Sequence, residues 1–467
     1  MTYFSRRQYG LTMLIIFAVL IMLTVIVRRK RSIYAKASMF TVLWAVFLRL
    51  LYVYYTPTYI RQHDVIGFGN DEGQAAFIEW FVTHAYLPDF NPREKWGFFQ
   101  PPLHHILAAL WIKLNMVFGV AYNKACENVQ LLTLIYSIVF TVYAIRLFRR
   151  FRMEEKEFFI ALAITAMHPI YILLSGSVNN DMLCILLTLM TVYYGLVWYK
   201  SDSLADIIKL AFCMGLSMMA KLSGVLTVPA LLFLFISRLV SGGKKKAGHF
   251  IREYVIFGII SIPIGLFSPI RNFIRFGVPL TYTPSVKESL EGYSILQRFT
   301  DIFNDNPFTN LIKYGDPFDE YCIPLALMKT SLTGEFNFAL ETDYVTPFAR
   351  VLLISGSLLA IIGVLCTVLA VFGKSYIKDK TERVYLGLVY IAAIVFYVNL
   401  CLKTPNFSSQ DFRYIAYIVA IEALFIGVVL RYNNQNHKHK VFGMFILTTT
   451  VVFCVCTSAV YLLLGMP

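Results

Sequence analysis

FFIALAITAMHPIYILLSGSVNNDMLCILLTLMTVYYGLVWYK, residues 158–200, decides the fold class. Two apolar runs, 157–175 and 182–199, flank a short polar turn from Ser175 to Asp181, and the second run ends on Lys200. Each run approaches the roughly 20 residues a helix needs to cross a bilayer. Working outward, comparable runs lie at about 10–27, 36–55, 128–146, 206–222, 223–240, 252–269, 347–372, 382–401, 412–430 and 441–464. The expectation is an all-α integral membrane protein with about twelve transmembrane helices. Composition agrees: of 467 residues, 58% are apolar and only 15% charged, against about a quarter charged in soluble domains. An ordinary soluble enzyme and a disordered chain are both excluded by this balance.

The formal charge of +14 matters less than where the charges stand. With Arg28–Arg31 in the cytoplasm, every second connection is short and basic: Arg149, Arg150 and Arg152; Lys200; Lys244–Lys246; Lys374, Lys378 and Lys380; Arg431, Lys438 and Lys440. The alternate connections are acidic, with Asp64, Asp71, Glu72, Glu79, Asp89, Glu94, Asp181, Asp316, Asp319, Glu320 and Asp411. This alternation follows the excess of Lys and Arg in cytoplasmic loops, and only Arg6-Arg7 departs from it. The first run resembles a signal peptide, but the basic cluster follows it directly with no small-residue cleavage site, so a retained anchor is expected. The excess base is matched to anionic lipid headgroups rather than to nucleic acid, since no nucleic-acid-binding signature interrupts the apolar segments. The 8 Cys are scattered without metal spacing and read as small core residues.

Two outer connections, 56–127 and 270–346, are too long to be turns, and long connections in compact proteins are usually functional or disordered. Their many aromatics argue against disorder, and 103–118 is amphipathic enough to lie as a helix in the membrane interface. The first loop places Asp64, Asp71 and Glu72 just beyond a helix end, where a carboxylate near a low-dielectric boundary can serve as a general base. Gln100-Pro101-Pro102 leads into His104 and His105 at the start of the interfacial helix. Asn180 and Asp181 stand in the short outer turn, where a plain helix cap is the competing reading. Lys221 interrupts an apolar stretch, and intramembrane charges are costly and usually face a functional cavity. Arg271-Asn272 and Asp411-Phe412-Arg413-Tyr414 also lie at outer helix ends, where Arg suits a lipid phosphate. A divalent metal held by Asp71, Glu72 and a His is an option, although the spacing matches no fixed ligand code.

This ordered set resembles the polytopic glycosyltransferases of the GT-C superfamily, in the protein-mannosyltransferase-like branch (glycosyltransferase family 39) that includes lipid A aminoarabinose transferases. The matching residues are Asp64 with Asp71-Glu72, Pro101-Pro102-Leu103, Asn180-Asp181, Arg271-Asn272 and Arg413-Tyr414, spread over about 36–430. The resemblance implies inverting transfer of a sugar from a polyprenyl-phosphate donor to an acceptor hydroxyl outside the membrane, at a bacterial plasma membrane. It implies a base in the first outer loop, a role open to Asp64 or Asp71. Lys221, Arg271 and Arg413 would then hold the donor phosphate, with Gln100, His104, His105, Asn180, Asp181, Asn272, Asp411 and Tyr414 supporting the site. Gln100 stands where the family usually has His. The expected organisation is an anchor over 1–35, a catalytic transmembrane core over 36–269, a second outer loop over 270–346 and C-terminal helices over 347–467. The acceptor, whether glycan, lipid or protein, is not specified by the sequence. A multi-pass transporter or lipid flippase is the alternative. It would place polar groups at mid-membrane in broken, repeated helices, and no such repeat is seen.

Overall fold

The computed structural model describes residues 3–27, 32–153, 155–284, 290, 292–302, 320–336, 338, 343–437 and 439–466. The basic residues Arg28–Arg31 and Lys438, and the acids Asp316 and Asp319, lie outside the described residues. Among the described residues there is no strand, and the chain is an all-α multi-pass membrane protein. Eight helices among the described residues are long and apolar enough to span a membrane, or ten when each of two bent pairs counts as one span. Of the expected twelve, the first run contains only the shorter apolar stretch Ile15–Ile26. The run at 206–222 is helical over Leu204–Ala220, 17 residues, because the chain leaves the helix at Lys221 (φ −158).

Two expected spans are broken. The opening stretch folds as α1, Glu155–Ala166, and α2, Pro169–Ser175, bent by 44°. Pro169 takes the first position of α2, where its missing N–H is no loss, and the His168 ring accepts from the Ile170 N–H. The carbonyl of Ala166, freed at the break, accepts from Arg49 Nη2 at 2.7 Å. Arg49 is wholly buried and its Nη1 also donates to Ser137 O and Thr141 Oγ1. The second broken pair, Phe407–Ile415 with Ile418–Gln435, bends by 52°. Broken spans are therefore present, contrary to the expectation drawn from the sequence. The first break is not visible in hydropathy, because apolar residues continue on both sides of it, whereas the second follows the polar segment 408–413.

A third interruption falls at Gly243, whose positive φ of 62 is a conformation glycine adopts freely. It splits Val228–Phe276 into two candidate spans, Leu222–Lys244 and Lys246–Phe276. The first long connection folds onto one end of the bundle as two helices, α3 (Gly73–Thr83) and α4 (Leu103–Val117), with a core of Phe77, Phe81, Phe98, Ala108 and Ile112. The helix expected over 103–118 is thus observed.

Candidate functional site

The turn from Ser175 to Asp181 is buried throughout and stitched to the first connection. Gln62 Nε2 donates to Gly176 O, the Val178 N–H donates to Gln62 Oε1, and Gln130 Nε2 donates to both Thr56 O and Gly176 O. The Asn180 N–H donates to Gln74 Oε1, while Asn180 Nδ2 reaches Ala220 O at 2.7 Å and Gln100 Oε1 at 3.3 Å. Buried main-chain groups need such partners, so this mesh fixes the turn and with it Asp181.

Asp181 begins the helix Asp181–Ser201, and its side chain serves an ion cluster. One oxygen pairs with Lys221 Nζ, and the other lies 3.7 Å from Arg413 Nε. Arg413 Nη2 pairs with Asp64 Oδ2 at 3.2 Å and donates to the Tyr414 hydroxyl. Asp411 Oδ2 lies 3.9 Å from Arg413 Nε, and Asp411 Oδ1 accepts from the Arg413 N–H. Lys221 Nζ sits 4.8 Å above the Tyr414 ring, a favourable site for a cation. Four segments distant in sequence therefore place two cations among three carboxylates. Arg413 Nε and Nη1 and Asp411 Oδ2 are buried without a hydrogen-bond partner, an arrangement that favours a further polar ligand. A small cavity of about 10 Å3 lies beside Arg413, lined by Asp181, Lys221, Ser223, Arg413, Tyr414 and Tyr417.

Asp64 stands at the rim, 39% exposed, on a strained turn. Arg61, Asp64 and Ile66 all have positive φ (52, 57 and 61), and for a β-branched residue this is a marked outlier. Gly73 keeps the turn closed: a Cβ there would stand 2.5 Å from Val65 O. Such strain concentrates at functional sites.

His63 and Glu335, which the sequence reading passed over, complete the cluster. His63 Nδ1 lies 2.7 Å from Glu335 Oε1, and Nε2 lies 3.8 Å from Asp411 Oδ2. Burial pushes the Glu335 carboxyl up, but His63 and Arg413 outweigh it and hold it below the usual range. His63, Glu335 and Asp411 offer one imidazole nitrogen and two carboxylate oxygens within 4.8 Å of one another. With Asp411 Oδ2 unpartnered, this donor set fits a divalent cation.

Other expected residues stand apart. Asp71 is 84% exposed and pairs only with Lys95 among the described residues. Glu72 is half-buried at the start of α3 and makes no side-chain cap bond. The exposure of Asp71 weighs against the metal set built on the pair. Arg271 donates to Pro88 O at 2.6 Å and to Asn272 Oδ1, with Asp89 at 3.6 Å. It fastens the first connection to the bundle and lines a neighbouring cavity with Gln100 and Asn272. His104 Nε2 donates to Val178 O, and burial pushes its pKa down to about 4. His105 packs on Phe77, and burial together with His104 holds it well below the usual imidazole range. His104 braces the turn from behind. Behind Asp411, Gln410 is held by Arg298 and by Glu320 O, beside a buried Glu320–Lys329 pair. The only sequence cue to Glu335 was a lone carboxylate after Gly334.

An apolar cavity of about 620 Å3 lies behind Phe412, the neighbour of Arg413. Leu325, Met328, Leu332, Leu353 and Phe453 line it, with Glu422 as a single acid.

Residues 100–264 match the sequence model of the dolichyl-phosphate-mannose-protein mannosyltransferase family. That segment contains Gln100, Pro101-Pro102, Asn180-Asp181 and Lys221, and excludes Asp64 and Arg413. No characterised protein matches the chain by sequence. Among solved structures, the Archaeoglobus fulgidus oligosaccharyltransferase in complex with Zn and sulfate has a TM-score of 0.52 at 13% identity, covering 90% of this chain and 53% of that one. The oligosaccharyltransferase AglB of the same organism, with an inhibitory peptide and a dolichol-phosphate, gives 0.52 at 11% identity, covering 91% and 56%. ArnT from Cupriavidus metallidurans bound to undecaprenyl phosphate gives 0.37 at 15% identity, covering 84% and 78%. The chain thus spans about half the length of the archaeal enzymes. The expected resemblance is met over part of the chain: residues 100–264 are similar to the protein-mannosyltransferase family of the GT-C superfamily, and the membrane fold is similar to that of archaeal oligosaccharyltransferase.

Proposed function

We propose that this protein is a membrane glycosyltransferase that moves a sugar from a polyprenyl-phosphate donor to an acceptor hydroxyl, with inversion, on the extracytoplasmic face of a bacterial plasma membrane. One observation carries the reading. Lys221 and the partly unpartnered guanidinium of Arg413 sit in one ion cluster with the strained, rim-exposed Asp64, and Phe412, next to Arg413 in the chain, lines an apolar cavity. Base, cations and cavity suit a sugar acceptor, a phosphate and a prenyl chain respectively. The family match over 100–264 and the dolichol-phosphate bound by AglB are consistent with it.

In this mechanism the acceptor oxygen attacks the anomeric carbon from the face opposite the phosphate. The carbon–oxygen bond to phosphate breaks, the acceptor proton passes to Asp64, and polyprenyl phosphate leaves with the electron pair. Asp64 is preferred to Asp71 because it alone adjoins the cation cluster, and a positioned base contributes roughly 10²–10⁴-fold. Arg413 and Lys221 stabilise the leaving phosphate as fixed charge in a dry site. Asp181 and Asp411 hold those cations in place, and Tyr414 lies under Lys221. Arg271 and Asn272 keep the first connection closed over the bundle. His63, Glu335 and Asp411 would hold a divalent cation, which when bound adds positive charge for the phosphate.

The test is donor consumption by purified protein in nanodiscs, with a panel of polyprenyl-phosphate sugars and an envelope extract as acceptor. Release of polyprenyl phosphate that is lost in Arg413→Gln supports the reading. No release from any donor, with the fold intact, overturns it. The two broken spans are the observation that favours a transporter, which requires instead that an unaltered solute or lipid cross the bilayer of sealed vesicles.

A further inference from the structure

We propose that Asp202, His249 and Glu253 form a binding site for a first-row divalent cation of the Zn2+ type, at the far end of the helix that Asp181 begins. The helix Asp181–Ser201 has 21 residues, so about 30 Å separates its two ends. The site is distinct from the cluster around Arg413 and independent of the proposed transfer reaction.

Three backbone features bring the ligands together. Asp202 ends its helix in the left-handed conformation (φ 55). Gly243, with φ 62, turns the chain back. His249 and Glu253 then follow at a spacing of four, which puts both on one face of the next helix. His249 Nε2 lies 3.5 Å from Asp202 Oδ1 and 3.7 Å from Glu253 Oε1, and all three atoms fall within 4.8 Å of one another. A tetrahedral Zn2+ with bonds of about 2.0–2.2 Å requires ligand atoms about 3.3–3.6 Å apart. The first of these separations falls in that range and the second lies about 0.1 Å beyond it. They are too long for the 2.7–2.9 Å or so of charge-assisted hydrogen bonds from a protonated imidazole.

Each carboxylate is divided in its use. Glu253, with no exposed surface, accepts from Trp198 Nε1 on Oε2 at 3.0 Å. Its Oε1 is buried with no hydrogen-bond partner. Asp202 Oδ2 is held by Arg238 Nη2 at 3.2 Å and Lys246 Nζ at 3.4 Å, while its Oδ1 is also unpartnered. So the oxygens facing His249 are the unsatisfied ones, and the opposite oxygens are pinned by neighbours. Pinned ligands of this kind are what a metal site requires of its surroundings, and an unpaired buried carboxylate oxygen is otherwise costly. One imidazole with two carboxylates suits Zn2+, Co2+ or Mn2+ rather than Mg2+ or Ca2+, which favour oxygen alone. His249 is 37% exposed, which leaves an entry path and a place for a water ligand. A bound ion would staple the end of Asp181–Ser201 to the helix beyond Gly243.

The experiment uses the full-length protein in detergent, stripped of metal and titrated with Zn2+ against a chromophoric chelator, with Co2+ absorption as a second signal. Expected are one equivalent lost, or at least tenfold weaker binding, in both His249→Ala and Glu253→Gln. That equivalent is retained in His63→Ala, which removes the other candidate donor set. Zn2+ should raise the melting temperature of the wild type and of His63→Ala but not of His249→Ala. Equal Zn2+ stoichiometry and an equal melting response in wild type, His249→Ala and Glu253→Gln would overturn the proposal. So would a wild type that binds no Zn2+ and is stabilised at pH 5.5 only when His249 is present, since His249 is then a protonated clasp.

Discussion

Replacing Asp64 by Asn separates chemistry from architecture at the candidate site. The exchange keeps side-chain shape and an oxygen for Arg413 Nη2, which now lies 3.2 Å from Asp64 Oδ2. It also keeps the backbone, because Asn tolerates the left-handed region where Asp64 sits (φ 57). The lost ion pair is 39% exposed on the Asp64 side, so its contribution is discounted to at most about 1 kcal/mol. Asn cannot take the acceptor's proton, however. A missing base costs roughly 10²–10⁴ in rate, or about 3–5 kcal/mol of barrier. The expected result is a melting curve nearly superimposable on wild type with transfer reduced at least a hundredfold. The assay follows polyprenyl phosphate released from labelled donor in nanodiscs, alongside thermal unfolding of the same preparation. The parallel control is Asp71→Asn, where an 84% exposed side chain should change the rate by no more than about twofold. The reasoning is refuted if Asp64→Asn stays within about threefold of wild type while Asp71→Asn falls by two decades.

Lys221→Met leaves Asp181 buried with one partner fewer, a change that costs about 3–5 kcal/mol, and should lower the melting temperature sharply. The double change Lys221→Met with Asp181→Asn removes both charges and should restore most of that stability, while binding of polyprenyl phosphate stays weak; calorimetry and lipid binding report the two effects separately. If the cation at His63, Glu335 and Asp411 serves transfer, EDTA should cut the rate at least tenfold, and His63→Ala should be slow both with and without EDTA. His104 is buried in its neutral form, with its pKa pushed down to about 4. The unfolded chain takes up the proton first, so its contribution is fully present above about pH 6.5 and declines as pH falls toward 4, by about 3 kcal/mol in all. His104→Gln, which can still donate to Val178 O, should flatten that part of the stability–pH profile measured by chemical unfolding.

What the sequence made legible was whatever has a local or compositional signature. Apolar runs reveal helices through length alone, and Asn180-Asp181, Lys221 and Asp411 to Tyr414 stood out as polar residues at the ends of such runs. Asp64, Asp181, Lys221, Asp411, Arg413 and Tyr414 do converge. The failures are equally physical. His63 and Glu335 are 272 residues apart, and their pairing follows from how the bundle closes, which no local pattern encodes. Arg271 looked like Arg413, a basic residue at a helix end, but a carbonyl at Pro88 and the Asp89 carboxylate claim it. Asp71 looked like Asp64, yet α3 starts so that Asp71 faces solvent.

Arg49 is the instructive case, since a wholly buried guanidinium within an apolar helix is normally read as a functional charge. Here its terminal nitrogens meet only neutral oxygens, two of them main-chain carbonyls, one at the break before Pro169. A break in a buried helix frees main-chain groups that must find partners, and Arg49 meets that need. Arg413 sits among three carboxylates with Nη1 and Nε unpartnered. Burial is common to both arginines, so burial alone does not mark a binding site. Arg49 Nε is likewise buried without a hydrogen-bond partner, so what distinguishes Arg413 is the carboxylates, the second cation and the open rim around it, a property of the assembled neighbours rather than of the residue.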